Sequence, residues 1–567
     1  MKRDLAQLSN RIFDVVVVGG GIYGACIAWD AALRGLSVAL IERGDFGHAT
    51  SSNSLKVIHG GLRYLQDGSL PLMRRMIRER TTWMRIAPHL VHPLPCLVPT
   101  YRKLTRSKLA LSIGVAINDL VGYDRNRSID PQKRLPNGQI LSRAECLGML
   151  PGIKTDGITG GAIWYDAQIH NSERLLLSFV LSASRLGAVA ANYVEAAGLL
   201  QDERRVLGVK ARDVLTGQEF ELQARMVVNC AGAWVDAILS GLDSRPAQPR
   251  FHLSTAMNLV TRQILSGYAA GFSSQYRVGR PGEQDERSRI LFMVPWRKRS
   301  IIGTIHSVYT GTPENFQVSE AAIQEFIDEI NRAFPGAELK REDVYNVHSG
   351  FLPMVPDGGR AGGVRLVRES RIHDHEREDK IAGLVTVVGV KYTTARSTAQ
   401  QAVDLVVKKL GRESAACQTL GTPVYGGQID DFCEFLAHAL EKRPYGLSPE
   451  TIEHLVYTYG SEYPRVLKYL DDEPGSDQTI SNGSPVIKAE ILHAVREEMA
   501  QKLDDVIQRR TELATAGPFD ESGLETCAEI VAAELGWDQA KKEQALQEAR
   551  AARSIRPMGI QETIGMR

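Results

Sequence analysis

The sequence has little of what marks secreted, cysteine-metal or membrane-spanning proteins. Its seven cysteines are scattered over 567 residues without a C-x-x-C pair, which argues against a disulfide framework and a zinc site, so no metal is expected. No run of 18 apolar residues occurs, and residues 1–10 are polar, without the apolar region of a signal peptide. A net charge of +1 argues against a general nucleic-acid binder. These absences predict a globular protein of the reducing cytoplasm.

What the sequence does contain, near its start, is the order strand, glycine turn, helix, strand and acid. The β-branched run Phe13–Val18 predicts a buried parallel strand, and a G-x-G-x-x-G follows at residues 19–24. A second strand is predicted over residues 37–41 and leads into Glu42. Glycines allow close approach of a pyrophosphate to the helix N-terminus, and an acid at about this distance binds a ribose. The pattern predicts a dinucleotide site.

The next segment, residues 49–65, indicates which dinucleotide is bound. It reads A-T-S-S-N-S-L-K-V-I-H-G-G-L-R-Y-L and is dense in small, hydroxyl and basic residues, as expected of a loop along a flat polar ligand. The run resembles the flavin-binding stretch of FAD-dependent glycerol-3-phosphate dehydrogenases, with Leu55 as its clear departure. Further runs that resemble this family are Y-D-A-Q at residues 165–168, N-C-A-G-A-W at 229–234, F-M-V-P-W at 292–296 and G-V-K-Y-T-T at 389–394.

The resemblance implies bound FAD and a set of residues around it. The implied cofactor-binding residues are Gly19, Gly21, Ile22, Tyr23, Gly24, Glu42, Arg43, Thr50, Ser51, Ser52, Lys56, His59, Gly60, Gly61, Leu62, Val194, Ala231, Gly232, Trp234, Gly389, Lys391, Tyr392 and Thr393. It also implies oxidation of the C2 hydroxyl of sn-glycerol 3-phosphate, a small-molecule substrate, with electrons passing to quinone. A homodimer is compatible with the resemblance.

Five residues are expected to carry the reaction. Cationic groups of Arg63, Arg368 and Lys391 suit a phosphate, and Lys391 beside the ring would stabilise reduced flavin. Tyr64 belongs to the same matched run. His59 is a candidate base, although a role as a flavin contact alone is an equal alternative. For Arg368 a surface ion pair is the alternative.

Three positions depart from the family pattern where substrate is expected to bind. Leu352 stands where the family has an arginine, Asn258 where it has a histidine, and His306 where it has an aspartate. Replacing arginine by leucine removes a bidentate phosphate clamp. Weak or no turnover of glycerol 3-phosphate is therefore expected, and another polyol phosphate, a different hydroxylated substrate, an amine or amino acid, or flavin binding without catalysis stay open as alternatives.

The whole chain is predicted to be α/β, with an FAD-binding Rossmann-like domain, a β-rich substrate domain and a helical C-terminal domain. The first two are expected to interleave over residues 11–424, the helical domain to span 425–553, and 554–567 to form a tail. A stripe from Ile487 to Val506 predicts one amphipathic helix.

Residues 73–110 carry nine basic residues and one acid, interleaved with apolar residues. Such a segment can lie on anionic lipid, which predicts peripheral attachment to the inner face of the cell membrane; a solvated face of a globular fold is the alternative.

Overall fold

The computed structural model describes residues 1–102, 106–242, 252–278, 285–355, 364–413, 415–515 and 519–553. The predicted tail, 554–567, and Lys103 and Leu104 of the predicted basic segment lie outside the described residues. The strands are β1 (Phe13–Val18), β2 (Val38–Glu42), β3 (Val57–Ile58), β4 (Val91–Tyr101), β5 (Gln139–Leu141), β6 (Ile158–Ile169), β7 (Val189–Asn192), β8 (Val194–Asp202), β9 (Arg205–Asp213), β10 (Glu219–Asn229), β11 (His252–Arg262), β12 (Ala269–Val278), β13 (Asp285–Trp296), β14 (Arg299–Tyr309), β15 (Val344–Val355), β16 (Arg365–Leu366), β17 (Arg371–Asp374) and β18 (Leu384–Val388).

The helices alternate with these strands in the first half and dominate the last quarter of the chain. They are α1 (Leu5–Ser9), α2 (Ile22–Leu33), α3 (Leu70–Ile86), α4 (Lys108–Val121), α5 (Arg143–Met149), α6 (Ser172–Arg185), α7 (Val235–Ile238), α8 (Glu320–Ala333), α9 (His375–Glu378), α10 (Ala395–Leu410), α11 (Phe432–Lys442), α12 (Pro449–Tyr459), α13 (Tyr463–Leu467), α14 (Tyr469–Asp472), α15 (Lys488–Arg496), α16 (Glu521–Leu535) and α17 (Gln539–Arg553). A 3₁₀ helix at Leu62–Asp67 and a π-helix at Asp505–Arg510 also matter below.

The first sheet is the cofactor platform that the sequence predicts. Its order is β17-β18-β10-β1-β2-β7, parallel from β18 to β7, and β8 and β9 extend β10 as an antiparallel meander. Every residue of β1 is buried because helices α2, α6 and α10 cover one face and the meander covers the other. The ends of β1 and β10 therefore meet at one edge, next to the N-terminus of α2.

The second sheet has the order β16-β15-β11-β14-β13-β12-β4-β6-β3, with β5 paired to β6. Helix α8 and the segment around α5 cover one face with an apolar core. The other face turns to the loop at residues 49–54, since Thr50 Oγ1 accepts the Phe351 amide at 3.0 Å. The structure confirms the predicted class: an α/β cofactor domain, a β-rich second domain and a helical C-terminal part.

The C-terminal part is helical as predicted, but the prediction of one long helix over residues 487–506 is wrong. Helix α15 ends at Arg496, and Met499 has a left-handed φ of 61°. The break has a physical cause, because the buried Glu498 carboxylate turns back to form an ion pair with Arg174 of α6. Ser448 caps α12, with its side chain accepting the Thr451 amide. The boundary at residues 424/425 stays a prediction.

The basic segment at residues 73–110 does not form one surface. It is divided between α3, β4 and the start of α4. Arg80 is buried against Asp166, Arg74 pairs with Asp124, and Arg75 pairs with Glu369. These partners balance part of the positive charge of the segment within the fold, without a membrane surface. Among the described residues, none of the helices combines the length and the apolar character needed to cross a bilayer.

Candidate active site

The glycine turn between β1 and α2 forms a cradle that tolerates no larger residue. A Cβ atom on Gly24 would lie 1.9 Å from the Gly19 carbonyl oxygen, and one on Gly19, whose φ is 104°, would lie 2.6 Å from the Cys230 carbonyl oxygen. Gly21 caps α2 without a side-chain hydrogen bond, and the Ile22 amide donates to Ser51 Oγ at 3.0 Å. Backbone N–H groups at such a helix start bind anions.

A cleft of about 420 Å³ opens from this cradle, a size typical of small-molecule and cofactor sites. Ten of the predicted cofactor residues line it: Gly19, Gly21, Glu42, Arg43, Thr50, Ser51, Val194, Ala231, Gly232 and Trp234. His48, Arg212 and Glu314 also line the cleft and were not predicted. His48 directly precedes the matched run, whereas Arg212 and Glu314 come from distant parts of the chain.

Glu42 is held in the cleft by backbone donors. Its two carboxylate oxygens accept the amides of Gly20 at 2.7 Å and Gly44 at 2.8 Å. Each oxygen keeps a lone pair for a ribose hydroxyl. The Arg43 guanidinium lies 4.1 Å from the centroid of the Trp234 ring, which forms a flat cationic wall at the opening. The glycine cradle, acid and wall fit a dinucleotide such as FAD.

Two predicted cofactor contacts have other partners. The Lys56 ammonium is fully buried and bonds to Ser172 Oγ at 2.7 Å and to Glu173 at 2.9 Å. Ser52 Oγ donates to the Gly47 carbonyl at 2.6 Å. These bonds fix the loop at residues 47–56 in its shape, and contact of Lys56 and Ser52 with the cofactor stays a prediction.

The chain turns back toward helix α2 at residues 389–394, just after β18, and this segment is called the return turn. Tyr23 and Gly389 join it to α2. The Tyr23 hydroxyl accepts the amides of Val390 and Lys391, each at 3.0 Å, and donates to the Lys391 carbonyl at 2.7 Å. A Cβ on Gly389 would lie 2.2 Å from the Tyr23 ring. Burial raises the pKa of Tyr23, so the hydroxyl stays a donor. These hydrogen bonds fix the backbone position of Lys391.

Tyr392 and Thr393 extend the same return turn into the core. The Tyr392 hydroxyl donates to the Ser172 carbonyl at 3.1 Å, and the Thr393 carbonyl accepts the Trp83 indole N–H at 2.8 Å. Thr393 Oγ1 accepts the His59 amide at 3.2 Å. The return turn is thus bonded directly to the segment that carries the candidate base.

His59 is paired with a buried carboxylate that the sequence analysis did not single out. Its Nδ1 atom lies 3.1 Å from Asp166 Oδ2, and Asp166 Oδ1 accepts the Gly60 amide at 2.6 Å. The Asp166 side chain is 4% exposed and the His59 side chain 46% exposed. Burial raises the pKa of Asp166, but the His59 hydrogen bond and the charges of His59 and Arg80 outweigh it and lower that pKa. The signal for Asp166 was the Y-D-A-Q run.

The predicted cations come together beside this pair. Arg63 and Tyr64 lie on the 3₁₀ helix that follows Gly61, whose φ of 85° sets the turn. Lys391 Nζ is 5.3 Å from the centroid of the Tyr64 ring, and the Arg63 guanidinium is 6.0 Å from it. Burial lowers the pKa of Lys391 to about 8, opposed by Glu369 and assisted by the charges of Arg63, Arg75 and Arg368. Arg368 is exposed on the segment before β17.

The second sheet carries Leu352 and His306 on one face. Ser254 of β11 pairs with Leu352, and Ala256 pairs with His306, so Leu352 and His306 share the face that turns to the loop at residues 49–54. Burial and the charges of Arg289 and Arg63 lower the pKa of His306 to about 4, which keeps the ring neutral. Its Nδ1 is buried with no hydrogen-bond partner in the described part of the chain.

Asn258, the third departing position, has an internal role. It is buried, and its Oδ1 accepts the Thr304 hydroxyl at 2.6 Å. A Cβ on Gly303 would lie 2.0 Å from the same oxygen. Asn258 therefore lies at the bulge between β11 and β14, and its place in the substrate pocket stays a prediction.

Comparison with known proteins agrees with this geometry. A sequence family described as FAD dependent oxidoreductase matches residues 14–405, and one described as the C-terminal domain of alpha-glycerophosphate oxidase matches residues 417–542. A glycerol-3-phosphate dehydrogenase of Synechocystis is 32% identical over 96% of this chain and 97% of its own. The human mitochondrial glycerol-3-phosphate dehydrogenase is 32% identical over 95% of this chain and 72% of its own. A Bacillus halodurans glycerol-3-phosphate dehydrogenase, solved with FAD, shares the fold with a TM-score of 0.77 at 24% identity, covering 98% of this chain and 97% of its own.

Proposed function

Since the chain belongs to the family of FAD-dependent glycerol-3-phosphate dehydrogenases, we propose that it oxidises the secondary hydroxyl of a glycerol-3-phosphate-like polyol phosphate to a ketone. FAD is the cofactor, and when bound it accepts the hydride from the substrate carbon. The observation that carries the proposal is the grouping of the half-exposed His59, held by Asp166, with the cations of Arg63 and Lys391.

His59 is the group that takes the hydroxyl proton. Its Nδ1 faces Asp166, so its Nε2 is left to act as the base, and the exposed side chain gives a substrate access to it. The Asp166 carboxylate fixes the orientation of the ring and stabilises the imidazolium that forms on proton transfer. The Gly60 amide and Arg80 keep that carboxylate ionised although it is buried.

Arg63 and Lys391 supply the positive charge that an anionic substrate needs. Arg63 presents a planar fork suited to phosphate, and Lys391 adds a second charge across the Tyr64 ring. The Tyr23 hydroxyl positions Lys391 through backbone hydrogen bonds, so these bonds do not engage its ammonium group. We infer that the phosphate binds on this side of the site.

The wall formed by Leu352 and His306 determines what occupies the other side. Leu352 offers no charge, and His306 is neutral, with a buried Nδ1 that has no hydrogen-bond partner in the described part of the chain. This wall therefore adds no positive charge to that of Arg63 and Lys391. The arrangement favours a polyol phosphate whose phosphate binds at Arg63 and Lys391 and whose other end meets an uncharged wall.

We propose quinone as the electron acceptor, reached from an anionic membrane surface on the cytoplasmic side. The feature that supports this attachment is helix α4, whose exposed face carries Leu109, Ile113, Ala116 and Leu120, with Tyr123 just beyond. Spacings of three and four put them on one stripe, and exposed Lys108 and Arg102 flank its start. Leu65 Cδ1, from the 3₁₀ helix that carries Arg63, lies 3.9 Å from a Cβ built on Gly114 of α4.

Flotation with liposomes tests this attachment. Binding to anionic liposomes should fall with salt, because charge attraction is screened over about 8 Å at physiological ionic strength. Ile113→Glu with Leu120→Glu should abolish binding, whereas Leu186→Glu, at another exposed leucine, should leave it unchanged. Equal recovery with neutral and anionic liposomes at low salt contradicts the anionic surface. A homodimer stays a prediction, which light scattering of the purified protein would test.

Turnover with an artificial dye acceptor tests the function. The holoenzyme is assayed with glycerol 3-phosphate, longer polyol phosphates, the free polyols and a set of amines and amino acids. We expect activity with polyol phosphates alone. Activity confined to amines or to unphosphorylated polyols contradicts the proposal, and no activity with any of them leaves flavin binding without catalysis.

A further inference from the structure

Away from the cleft, two buried histidines converge on one carboxylate oxygen. His373 Nε2 lies 3.0 Å from Asp379 Oδ2, and His375 Nδ1 lies 2.7 Å from the same atom. The His375 side chain is fully buried and that of His373 is 8% exposed. The two rings lie 4.4 Å apart at 79°. These three side chains belong to β17, α9 and the residue that follows α9.

The outer nitrogen of each ring also has a fixed partner. His373 Nδ1 lies 2.7 Å from Glu378, and His375 Nε2 lies 2.8 Å from the Thr386 hydroxyl on β18. Histidines that ligate a metal characteristically bond their second nitrogen to a carboxylate or another acceptor, which sets the tautomer and the ring orientation. Glu378 and Thr386 therefore leave Nε2 of His373 and Nδ1 of His375 directed inward, toward each other and Asp379.

We propose that His373, His375 and Asp379 form a binding site for a divalent transition-metal ion, with Zn²⁺ as the expected occupant. Two imidazoles and one carboxylate are ligands that Zn²⁺ accepts, with water as a fourth. At Zn–ligand distances of about 2.0–2.1 Å, tetrahedral ligand atoms lie about 3.3 Å apart. The three ligand atoms all lie within 4.8 Å of one another, so small side-chain movements suffice.

The charge of the group supports the same conclusion. Two carboxylates, Asp379 and Glu378, face the two rings, and Arg371 also lies 3.2 Å from Glu378. The negative charge of Asp379 would offset part of the charge of a divalent ion bound between the rings. Cysteine spacing, on which the sequence analysis relied, cannot reveal a site of this type.

A second group of potential ligands in the described residues, Asp130, Asp431 and Cys433, serves as a comparison. Its carboxylates already accept hydrogen bonds from backbone amides. Asp130 accepts the amides of Gln132 and Phe432, and Asp431 accepts that of Glu434 at the start of α11. Helix capping explains those side chains without a metal. His373 and His375 differ from that group, because each directs one ring nitrogen at the same Asp379 oxygen.

Zinc content and zinc uptake of the full-length holoenzyme test the site. The protein is purified without a metal-affinity tag, analysed by mass spectrometry for metals, then depleted with a chelator and titrated with Zn²⁺ by calorimetry. We expect one saturable site with a Kd below about 1 μM and a higher Tm with Zn²⁺. X-ray absorption at the zinc edge should show two imidazoles. His375→Ala and Asp379→Asn should lose this site, whereas His438→Ala, an exposed histidine on α11, should keep it.

The unaltered protein keeps the test decisive if a variant fails to fold. Chelator-treated protein that takes up no Zn²⁺ below about 100 μM overturns the proposal. So does uptake that His375→Ala and Asp379→Asn leave unchanged, because the ion would then bind elsewhere. None of these readouts depends on which substrate the enzyme oxidises.

Discussion

The Nδ1 atom of His59 lies 3.1 Å from the buried Asp166 carboxylate, which belongs to a strand more than 100 residues further along the chain. The pair connects the segment that resembles a flavin loop with the β-rich sheet. Because Asp166 also accepts the Gly60 amide, the carboxylate fixes both the backbone and the ring of the H-G-G turn. The buried carboxylate fixes the ring of His59 in one orientation, as the proposed role of a base requires.

Substitution of Gly24 tests the cofactor cradle. Gly24→Ala places a Cβ 1.9 Å from the Gly19 carbonyl oxygen, so the turn must open and FAD binding should be lost. Gly148→Ala is the matched control, because a Cβ there meets nothing within 4 Å and the residue lies in helix α5. Absorbance of the purified variants in the flavin band is the measurement. Gly24→Ala protein with a full complement of FAD would contradict the cradle.

The charge of Lys391 predicts how substrate binding depends on pH. Its pKa is lowered to about 8, so the ammonium is charged below that pH and neutral above it. KM for a phosphate substrate should therefore rise as pH increases through about 8. Lys391→Arg should remove this rise, because arginine stays charged, and Lys391→Met should give a high KM at every pH. A rise in KM that Lys391→Arg retains would assign the titration to another group.

Leu352 is expected to weaken binding of glycerol 3-phosphate. Leu352→Arg restores the cation that the family has, and a charge-assisted hydrogen bond contributes about 1.5–3 kcal/mol, or ten- to 150-fold in KM. Full recovery is not expected, because His306 also differs from the family. Leu352→Met, which keeps the volume, is the control. A kcat/KM for glycerol 3-phosphate at or above about 10⁴ M⁻¹s⁻¹ in the unaltered protein would show that Arg63 and Lys391 suffice.

How much of this site was predictable depends on the range of the contacts. Residues 13–24 and Glu42 are defined by local strand, turn and helix signals, and β1 begins and ends as predicted. Asp166 and Glu314 reach the site only through tertiary packing; the Y-D-A-Q run marked Asp166 without its role, and no matched run marked Glu314. The break at Met499 depends on the pairing of Glu498 with Arg174 across 324 residues, which outweighs the local helical pattern.

The helical C-terminal part is expected to hold the cofactor loop in place. Asp45, three residues beyond Glu42, is fully buried and bonds to Arg509 at 2.7 Å and to Arg510 at 2.7 Å from the π-helix. Asp45→Asn removes the carboxylate with which the buried Arg510 pairs, although Arg509 keeps Asp504 and Asp505. The change should cost about 3–5 kcal/mol in the free energy of unfolding, and it should weaken FAD binding. Glu342→Gln, at an exposed ion pair, should change neither. Urea unfolding and FAD titration give the two values, and an unchanged FAD affinity would separate the C-terminal part from the cofactor site.

The most direct test of the central claim is reduction of the bound flavin by glycerol 3-phosphate and longer polyol phosphates without oxygen, followed by stopped-flow absorbance. We predict bleaching of the yellow holoenzyme by at least one polyol phosphate. The rate of bleaching should be lowered about 10²- to 10⁴-fold in His59→Asn and to a lesser extent in Asp166→Asn. The control variant His438→Asn should behave as the unaltered protein. Flavin that no polyol phosphate reduces, or a His59→Asn variant that is reduced at the unaltered rate, would contradict it.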